Sequence, residues 1–366
     1  MIIEQLNMIL SFIFVISLLV FIHEFGHYYI ARKCGVKVEI FSIGFGKELF
    51  SIRDKNDTIW KVCLVPLGGY VKMFGDSSAS STPDFRSIES FTKEEKETAF
   101  YTQPVLKRIA IVIAGPLANY LLAIIIISFF LITNGRSYNE PVISEVVKNS
   151  VAEKVGIIAG DRILELNNEK IDDFNQIRTV LALYQDDEIT LKIDRTGEIL
   201  EFTLIPENFT SADIAGNEVK QKRIGIASNN VAFKKVEFYQ APFLAIVSVY
   251  DTSVMTLKYL KQILVGKRDS NELGGIIRIA KYSGEASKHG IYYFLWFISA
   301  LSINLGLFNL LPIPLLDGGH LFFYLVELIT RRRIPEKIQA YAFKAGFVVL
   351  LLLFAVATYN DIKILM

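Results

Sequence analysis

Four apolar segments, each long enough to cross a lipid bilayer, constrain this sequence more than any other feature. They cover residues 6–31, 109–133, 290–316 and 339–360, and a transmembrane helix needs about 20 mostly apolar residues. The first segment lacks the basic start and the small-residue cleavage site of a secretory signal peptide. The sequence therefore predicts a polytopic α-helical membrane protein with four transmembrane helices.

The overall composition argues against several other classes of protein. Hydrophobic residues make up 52% of the 366 residues, and the mean hydropathy of +0.37 lies above the value near or below zero that is usual for a water-soluble enzyme. The 39 Lys and Arg residues against 38 Asp and Glu residues give a net charge of +1, so there is no electrostatic basis for binding nucleic acid. Two cysteines, Cys34 and Cys63, are too few for a disulfide framework.

Basic residues between the apolar segments predict the orientation of the chain, because Lys and Arg accumulate in cytoplasmic loops. They are concentrated in residues 32–108 and in the connection 330–338, which we therefore place in the cytoplasm. In a cell (inner) membrane, both termini and the connection 134–289 are then extracytoplasmic. Both cysteines lie on the reducing side, as unpaired thiols should.

The first apolar segment is interrupted by His23-Glu24-Phe25-Gly26-His27. Ionisable groups inside a membrane span cost about 2.5–3.5 kcal/mol each on insertion scales, so they mark functional sites. Histidines four residues apart lie on one face of a helix, where both can bind one metal ion beside Glu24. Zinc suits such a donor set with an open position for water. The alternative is a histidine pair that is hydrogen-bonded at a helix end and binds no metal.

A catalytic zinc site normally has three protein ligands and a water molecule, so a third ligand is needed. Asp317 directly follows the uncharged segment 290–316 and would lie at membrane depth. Pro312 and Pro314 break the helix just before it. Asp317 is the predicted third ligand, and His320, three residues further on, is the alternative.

The segment 243–265 is nearly long enough to be a fifth span, but it carries three charged residues. Its apolar residues recur at helical spacing, which predicts an interfacial amphipathic helix over about residues 237–265. A fifth span there would place Asp317 on the opposite side of the membrane from the histidines of the first helix. Four spans bring the predicted ligands to the same depth, so the interfacial interpretation is favoured.

Three motifs together resemble the site-2 protease family of intramembrane zinc metalloproteases. They are HEFGH at residues 23–27, AGPLAN at 114–119 and NLLPIPLLDGGH at 309–320. The order of the motifs around a PDZ-like insert, with KYSGEASKHG at 281–290, resembles the bacterial regulator-of-sigma-E protease (RseP-like) branch. The resemblance covers nearly the whole chain.

This resemblance implies specific roles for the motif residues. It implies one bound zinc ion, with Glu24 as the catalytic acid and base. The implied zinc ligands are His23, His27 and Asp317. The positions that it links to substrate binding are Asn309, Pro312 and Pro314.

Two regions between the spans have distinct patterns. Residues 36–75 are rich in β-branched and aromatic residues punctuated by glycines, which predicts strands. The resemblance implies that they form a re-entrant β-sheet near the active site, and a plain cytoplasmic hairpin is the alternative. The polar stretch Ser77–Glu97 is predicted to be a loop with a short charged helix.

Residues 138–206 resemble one α+β PDZ domain, with its turn at Gly156–Asn167 and a helix near Phe174–Tyr184. Members of the branch often carry two such domains, but only one fits here. PDZ domains bind extended peptide ends by strand addition, and a steric filter without a peptide ligand is equally compatible. Substrate selection is therefore expected to depend more on the interfacial helix within residues 207–289.

The predicted function is hydrolysis of peptide bonds within the transmembrane segments of single-span membrane proteins. The resemblance implies regulated intramembrane proteolysis of anti-sigma factors or remnant signal peptides that another protease has already trimmed. The alternatives are a membrane protease that cuts soluble peptides, a non-catalytic PDZ scaffold and a metal transporter. Glu24 favours catalysis, since a scaffold or a transporter has no need of a carboxylate at that position.

Overall fold

The structure is a computed structural model that describes residues 2–76, 90–183, 188–212, 218–268 and 270–365. The chain divides into two compact units. The first comprises Met1–Ile127, Ser248–Ser253 and Leu273–Met366, and the second comprises Ser128–Val247 and Val254–Glu272.

Helices dominate the chain. In order they are α1 (Ile2–Lys33), α2 (Lys93–Thr98), α3 (Val105–Asn134), α4 (Val151–Lys154), α5 (Phe174–Leu183), α6 (Ala241–Leu264), α7 (Ile276–Lys288), α8 (Ile291–Leu310), α9 (Asp317–Thr330) and α10 (Glu336–Leu365). A single 3₁₀ turn, Ser270–Glu272, precedes α7.

The strands are short apart from the first two. In order they are β1 (Val38–Arg53), β2 (Ile59–Met73), β3 (Arg136–Asn139), β4 (Glu145–Val146), β5 (Arg162–Leu166), β6 (Glu169–Lys170), β7 (Ile189–Arg195), β8 (Glu198–Leu204), β9 (Glu207–Ala212), β10 (Glu218–Arg223), β11 (Ile226–Ala227) and β12 (Val231–Lys234).

Within the described residues, five helices are long and apolar enough to cross a membrane: α1, α3, α6, α8 and α10. Four of them lie at the predicted spans, with α8 ending at Leu310, before the predicted end at residue 316. The chain is a mostly helical membrane protein with small sheets. The fifth, α6, is the segment for which the sequence predicts an interfacial helix, and it also meets the criteria of length and composition. The number of spans therefore stays a prediction.

Strands β1 and β2 form an antiparallel sheet in the region where the sequence predicts strands. The turn between them is organised by Asp54. Its carboxylate accepts hydrogen bonds from the backbone N–H groups of Asn56 and Thr58, at 2.7 and 3.0 Å. It also accepts hydrogen bonds from the Trp60 indole at 3.0 Å and the Tyr28 hydroxyl at 3.2 Å. Since Tyr28 belongs to α1, Asp54 fixes the hairpin to the helix that carries the two histidines.

The half of the sheet nearest α1 is buried, and the other half is exposed. Residues 40–43 of β1 pair both with residues 69–72 and with residues 59–62 of β2. The buried cluster beneath this part includes Ala31, Val36, Val38, Phe41, Val71, Met73, Phe100, Tyr101, Ile111, Val112 and Tyr324. The sheet is therefore anchored at the end that lies closest to the HEFGH motif.

Helix α2 is the short charged helix predicted within Ser77–Glu97. Its N-terminus has a complete capping box, in which the Thr92 hydroxyl accepts a hydrogen bond from the Glu95 N–H and the Glu95 carboxylate accepts one from the Thr92 N–H. The rest of that predicted loop, residues 77–89, lies outside the described residues.

The second unit has an α+β arrangement. Its main sheet has the strand order β6-β5-β7-β8, and its core is almost wholly aliphatic, with Ile163, Leu191 and Ile193 fully buried. Helix α5 packs its Ile177, Val180 and Leu181 into the same core. Tyr184, at the end of the predicted helix, lies outside the described residues.

The turn at the start of the main sheet is held by a buried ion pair. The Asp161 carboxylate accepts two hydrogen bonds of 2.8 Å from the Arg195 guanidinium and one of 2.9 Å from the Ile158 N–H. Burial by itself raises the pKa of Asp161, but these hydrogen bonds outweigh it and hold the pKa below its ordinary value. Arg195 also donates to the Gly156 carbonyl, so one side chain closes the whole turn.

Candidate metal centre

Three predicted ligands converge in the first unit. The distance between the two Nε2 atoms of His23 and His27 is 3.2 Å. The Asp317 Oδ2 atom lies 3.0 Å from Nε2 of His23 and 3.5 Å from Nε2 of His27. Both histidines are buried, each with a relative exposure of 8%. Helices α1 and α9, almost 300 residues apart in sequence, thus meet at one point.

The spacing of these three atoms fits a tetrahedral zinc ion. Zinc–ligand bonds of about 2.0–2.1 Å place the ligand atoms of a tetrahedron about 3.3 Å apart, and the three measured separations are 3.0, 3.2 and 3.5 Å. Three protein ligands leave the fourth position of a tetrahedron open to water. Among the described residues, this is the group of His, Cys, Asp and Glu side chains close enough to hold a metal ion.

The proton on His27 is assigned by its neighbour. The Nδ1 atom lies 2.9 Å from the carbonyl oxygen of Ile111, and a carbonyl can only accept, so Nδ1 carries the proton. A neutral His27 then directs the lone pair of Nε2 toward Asp317. Asp317 Oδ2 lies 3.5 Å from that nitrogen, and two acceptors that face each other in a buried site are stabilised when a cation lies between them.

Asn119 of α3 provides the corresponding support for His23. Its amide nitrogen Nδ2 lies 3.1 Å from Nδ1 of His23, and its Oδ1 atom is buried without a hydrogen-bond partner among the described residues. Binding of a metal by Nε2 requires the proton on Nδ1, and Oδ1 of Asn119 becomes its acceptor when the amide is rotated by 180°. The backbone carbonyl of Asn119 accepts a 2.8 Å hydrogen bond from the Ser302 hydroxyl of α8, which holds the three helices together.

Close contact between α1 and α3 depends on two glycines. A Cβ atom on Gly26 would overlap the Ala114 carbonyl, and a Cβ atom on Gly115 would overlap the His27 imidazole. Only glycine leaves room for the backbone to approach this closely. The AGPLAN motif therefore supplies both the space for His27 and, through Asn119, a partner for His23.

Asp317 is the first residue of α9, and the turn before it is strained. Leu315 adopts φ +84°, a conformation that is unfavourable for a branched apolar side chain. The predicted helix break at the two prolines is present, since α8 ends at Leu310 and α9 begins at Asp317. This turn directs the Asp317 carboxylate toward the histidines of α1.

The three candidate ligands line a cavity of about 300 Å³. Its walls are formed by Val20, His23, Glu24, His27, Gly68, Gly69, Tyr70, Val71, Met73, Phe100, Val112, Leu305, Asn309, Leu315, Leu316, Asp317, His320 and Tyr324. Glu24 is half-buried and faces β2, because a Cβ atom on Gly69 would lie 3.1 Å from Cγ of Glu24. Strand β2 therefore passes directly beside the predicted acid and base.

Of the three predicted substrate-binding residues, one lines the cavity and two do not. Asn309 lines the cavity, whereas neither proline is among the residues of its wall in the described chain. Pro312 is exposed, and the Pro314 carbonyl packs closely against Gly346 of α10. The two prolines thus shape the turn before Asp317, and a direct contact with substrate is not evident for them.

The model of peptidase family M50 matches residues 11–353. The chain belongs to peptidase family M50. A Rhizobium meliloti protein named as a zinc metalloprotease is 41% identical, over 96% of this chain and 96% of its own length. A Rickettsia conorii protein with the same description is 43% identical, over 97% and 98%, and metalloprotease MmpA of Caulobacter vibrioides is 35% identical, over 98% and 96%.

Membership in family M50 makes the chain a metalloprotease of the membrane, and the family and the donor set together imply zinc as the cofactor. The family resemblance inferred from the sequence is confirmed. Sequence reasoning did not find the supporting contacts of Asn119 and of the Ile111 carbonyl. The sequence shows AGPLAN as a motif. It does not show the contacts of the individual residues, because these depend on the packing of α3 against α1.

Proposed function

We propose that this chain is an intramembrane zinc endopeptidase that cleaves single-span membrane proteins within their transmembrane segments. The observation that carries the proposal is the convergence of His23, His27 and Asp317, at 3.0–3.5 Å from one another, in a cavity that Glu24 also lines. The first two ligands lie within α1, which is apolar and long enough to span a membrane. In this proposal these three residues hold one zinc ion and Glu24 is the acid and base.

The chemistry requires an activated water, a polarised carbonyl group and a proton carrier. A bound zinc ion supplies a Lewis acid that lowers the pKa of water to about 7 and polarises the carbonyl group. Glu24 takes one proton from the attacking water as the C–O bond forms, and then delivers it to the nitrogen of the leaving amine, so that the C–N bond breaks as the carbonyl group re-forms. The Ile111 carbonyl and Asn119 orient the two imidazoles throughout.

A helical substrate must unwind before one of its peptide bonds reaches Glu24, because helix formation hides the backbone groups. We infer that residues 69–73 of β2 bind the unwound segment by strand addition. One edge of this stretch pairs with β1, and Gly69 and Val71 line the cavity. The exposed apolar side chains Phe45, Leu49 and Phe50 in the outer half of β1 support a re-entrant position of the sheet in the membrane.

The proposed topology has four spans, α1, α3, α8 and α10, with α6 as an interfacial helix. It places both termini and residues 138–206 outside the inner membrane and the metal centre toward the cytoplasm. Three observations support it: the basic loops, the charged residues of α6, and the need for α1 and α8 to run in the same direction so that Asp317 meets the histidines.

The proposed branch is the RseP-like one, with a single PDZ domain at residues 138–206. The α+β arrangement of that stretch, with its closed turn at Asp161, supports the assignment. The domain either binds a peptide end by strand addition or acts as a steric filter against large outer domains. Titration of the full chain with synthetic carboxy-terminal peptides distinguishes these two roles. The proposed substrates resemble anti-sigma factors or remnant signal peptides after trimming by another protease.

The deciding experiment compares wild-type protein with Glu24→Gln in detergent, on a truncated single-span substrate whose helix has been destabilised. Zinc is quantified in both samples. We expect cleavage by wild type, no detectable cleavage by the variant, and about one zinc ion per chain in each.

Either of two results would contradict the proposal. Cleavage by Glu24→Gln at the wild-type rate would remove Glu24 from the mechanism. Zinc bound by wild type without cleavage of any of several destabilised substrates would favour a scaffold or a transporter instead.

A further inference from the structure

His320 lines the same cavity, but it does not belong to the three residues whose ligand atoms converge. It lies one helical turn after Asp317 on α9, and it forms part of the cavity wall with Glu24 and Asn309. Among the described residues, the side chains close enough to share a metal ion are those of His23, His27 and Asp317. An imidazole beside a catalytic centre therefore remains without an assigned role.

The ring of His320 also lacks a hydrogen-bond partner. Its backbone N–H bonds to the Leu316 carbonyl at 3.3 Å, but no hydrogen bond or ion pair of either ring nitrogen is found in the described chain. His320 is only partly exposed, and polar groups with little access to water normally have partners. A polar group that faces a cavity without one is suited to contact whatever enters the cavity.

Packing holds this ring against one wall. The centroid of the Phe343 ring of α10 lies 5.0 Å from that of His320. Phe343 in turn packs edge-on against Phe323 of α9, with centroids 5.8 Å apart. The imidazole is thus supported by α10 on one side, while His320 also lines the cavity.

A role as a fourth zinc ligand fits this site poorly. A fourth protein ligand would occupy the position that hydrolysis needs for water. A role as hydrogen-bond donor has no such conflict, because an imidazole carries at least one N–H group in either protonation state. In the reaction proposed above, negative charge develops on the carbonyl oxygen of the scissile peptide bond, and a donor placed near that oxygen accelerates the reaction.

We propose that His320 donates an N–H hydrogen bond to the carbonyl oxygen of the scissile peptide bond, as a further catalytic residue. The inference rests on the proposed proteolytic function. Phe343 acts as a positioning residue, since it contacts the imidazole but is not part of the cavity wall.

The test uses full-length His320→Phe, which keeps a flat ring against Phe343 but has no donor, together with His320→Asn and His320→Gln. The two amides place an N–H near the position of Nδ1 or of Nε2. His289→Phe is the matched control, since His289 is the last-turn cap of α7 and lies outside the cavity wall. Kinetics, zinc content and thermal unfolding are measured for each.

For His320→Phe we expect kcat to fall by about 10²–10³-fold, the usual effect of removing one such donor, with KM within about threefold of wild type. Zinc content and unfolding temperature should match those of wild type. One of the two amide variants should recover at least tenfold of the lost kcat. Binding of the uncleaved substrate should be equal in Glu24→Gln and in Glu24→Gln/His320→Phe.

Three results would overturn the inference while leaving proteolysis by wild type intact. They are a kcat for His320→Phe within threefold of wild type, loss of zinc from that variant, and failure of both amides to recover activity when they fold and bind zinc. Loss of zinc would identify His320 as a ligand. If His320→Phe does not fold, His320→Ala replaces it as the variant without a donor, and a donor role then requires one of the two amide variants to exceed the activity of His320→Ala at least tenfold.

Discussion

Helices α3 and α10 are both about 30 residues long and similarly apolar, yet they are used in opposite ways. In the most apolar stretch of α3, 44% of the residues are buried, against 6% in α10. Helix α3 brings Gly115 and Asn119 against the histidines, whereas the middle of α10, from Phe347 to Phe354, is mostly exposed. Hydropathy identifies a helix that can span a membrane, but does not tell which face of it builds a site.

Helix α10 touches the rest of the first unit mainly at two places. Near its start, Phe343 packs on His320, and Gly346 packs on the turn before Asp317. Near its end, the Asp361 carboxylate accepts hydrogen bonds from the N–H groups of Gly275 and Arg278, at 2.9 and 3.0 Å. Helix α10 is therefore fixed near its two ends, by aromatic and glycine contacts at one end and by polar contacts at the other, whereas α3 makes its close glycine contact beside the histidines.

The largest effect is expected from filling the space between α1 and α3. In Gly115→Ala the new methyl group overlaps the His27 imidazole, which displaces a ligand of the centre. We expect loss of bound zinc and a fall in proteolysis of more than about 10³-fold, the order seen when a catalytic group is removed. Ala345→Leu, an enlargement on the exposed side of α10, should leave both unchanged. Retention of zinc and activity by Gly115→Ala would show that α3 can move enough to accommodate the added methyl group.

The next largest effect concerns the ion pair at the start of α3. The Arg108 guanidinium forms two hydrogen bonds with the Glu327 carboxylate, at 2.7 and 3.1 Å, and lies 4.7 Å from the centre of the Tyr324 ring. Because the pair is buried, Glu327→Leu should lower the free energy of unfolding by about 3–5 kcal/mol, and adding Arg108→Met should restore much of it. Thermal or chemical unfolding in detergent measures the free energy of unfolding of wild type and of both variants.

An exposed pair provides the comparison for that measurement. Arg53 and Asp57 lie 3.6 Å apart, with 63% and 71% of their side chains exposed. Breaking it with Arg53→Met should change the free energy of unfolding by less than about 1 kcal/mol. Equal losses for the two pairs would mean that the burial of Arg108 does not matter.

A smaller effect is expected at Asn119, which orients His23 without binding the metal. Asn119→Ala should lower the affinity for zinc by about 10–100-fold, the usual effect of losing such a partner, as measured by competition with a chelator. Asn119→Asp keeps an acceptor for the Nδ1 proton and should retain more of the affinity than Asn119→Ala. A higher zinc affinity of Asn119→Ala than of Asn119→Asp would contradict the assignment of a proton to Nδ1 of His23.

The smallest effect is expected in the exposed middle of α10. Leu352 is 60% exposed, so Leu352→Ala leaves no cavity and should change the free energy of unfolding in detergent by less than about 0.5 kcal/mol. Ile111→Ala in α3, where the side chain is fully buried, should cost about 2–5 kcal/mol. Comparable losses would mean that α10 is buried in solution by something other than the described chain.

Much of this architecture could be predicted from sequence because it depends on local patterns. The apolar segments predict α1, α3, α8 and α10, and HEFGH places two histidines on one helical face wherever that helix lies. The predicted meeting of Asp317 with these histidines is present in the structure, while its role as a zinc ligand stays a prediction. Segment α6 shows the limit, since its hydropathy is compatible with both an interfacial and a spanning helix.

The sequence by itself determined the family, the apolar helices and the identity of the ligand candidates, because residue type and spacing decide which groups can bind a metal. Only the tertiary structure decided which groups face the Nδ1 atoms of the two histidines, why Gly115 must lack a side chain, and that His320 lines the cavity without a ring hydrogen bond in the described part of the chain. These features depend on distances between helices that are far apart in sequence. Such distances are set by the packing of whole surfaces and by no local pattern.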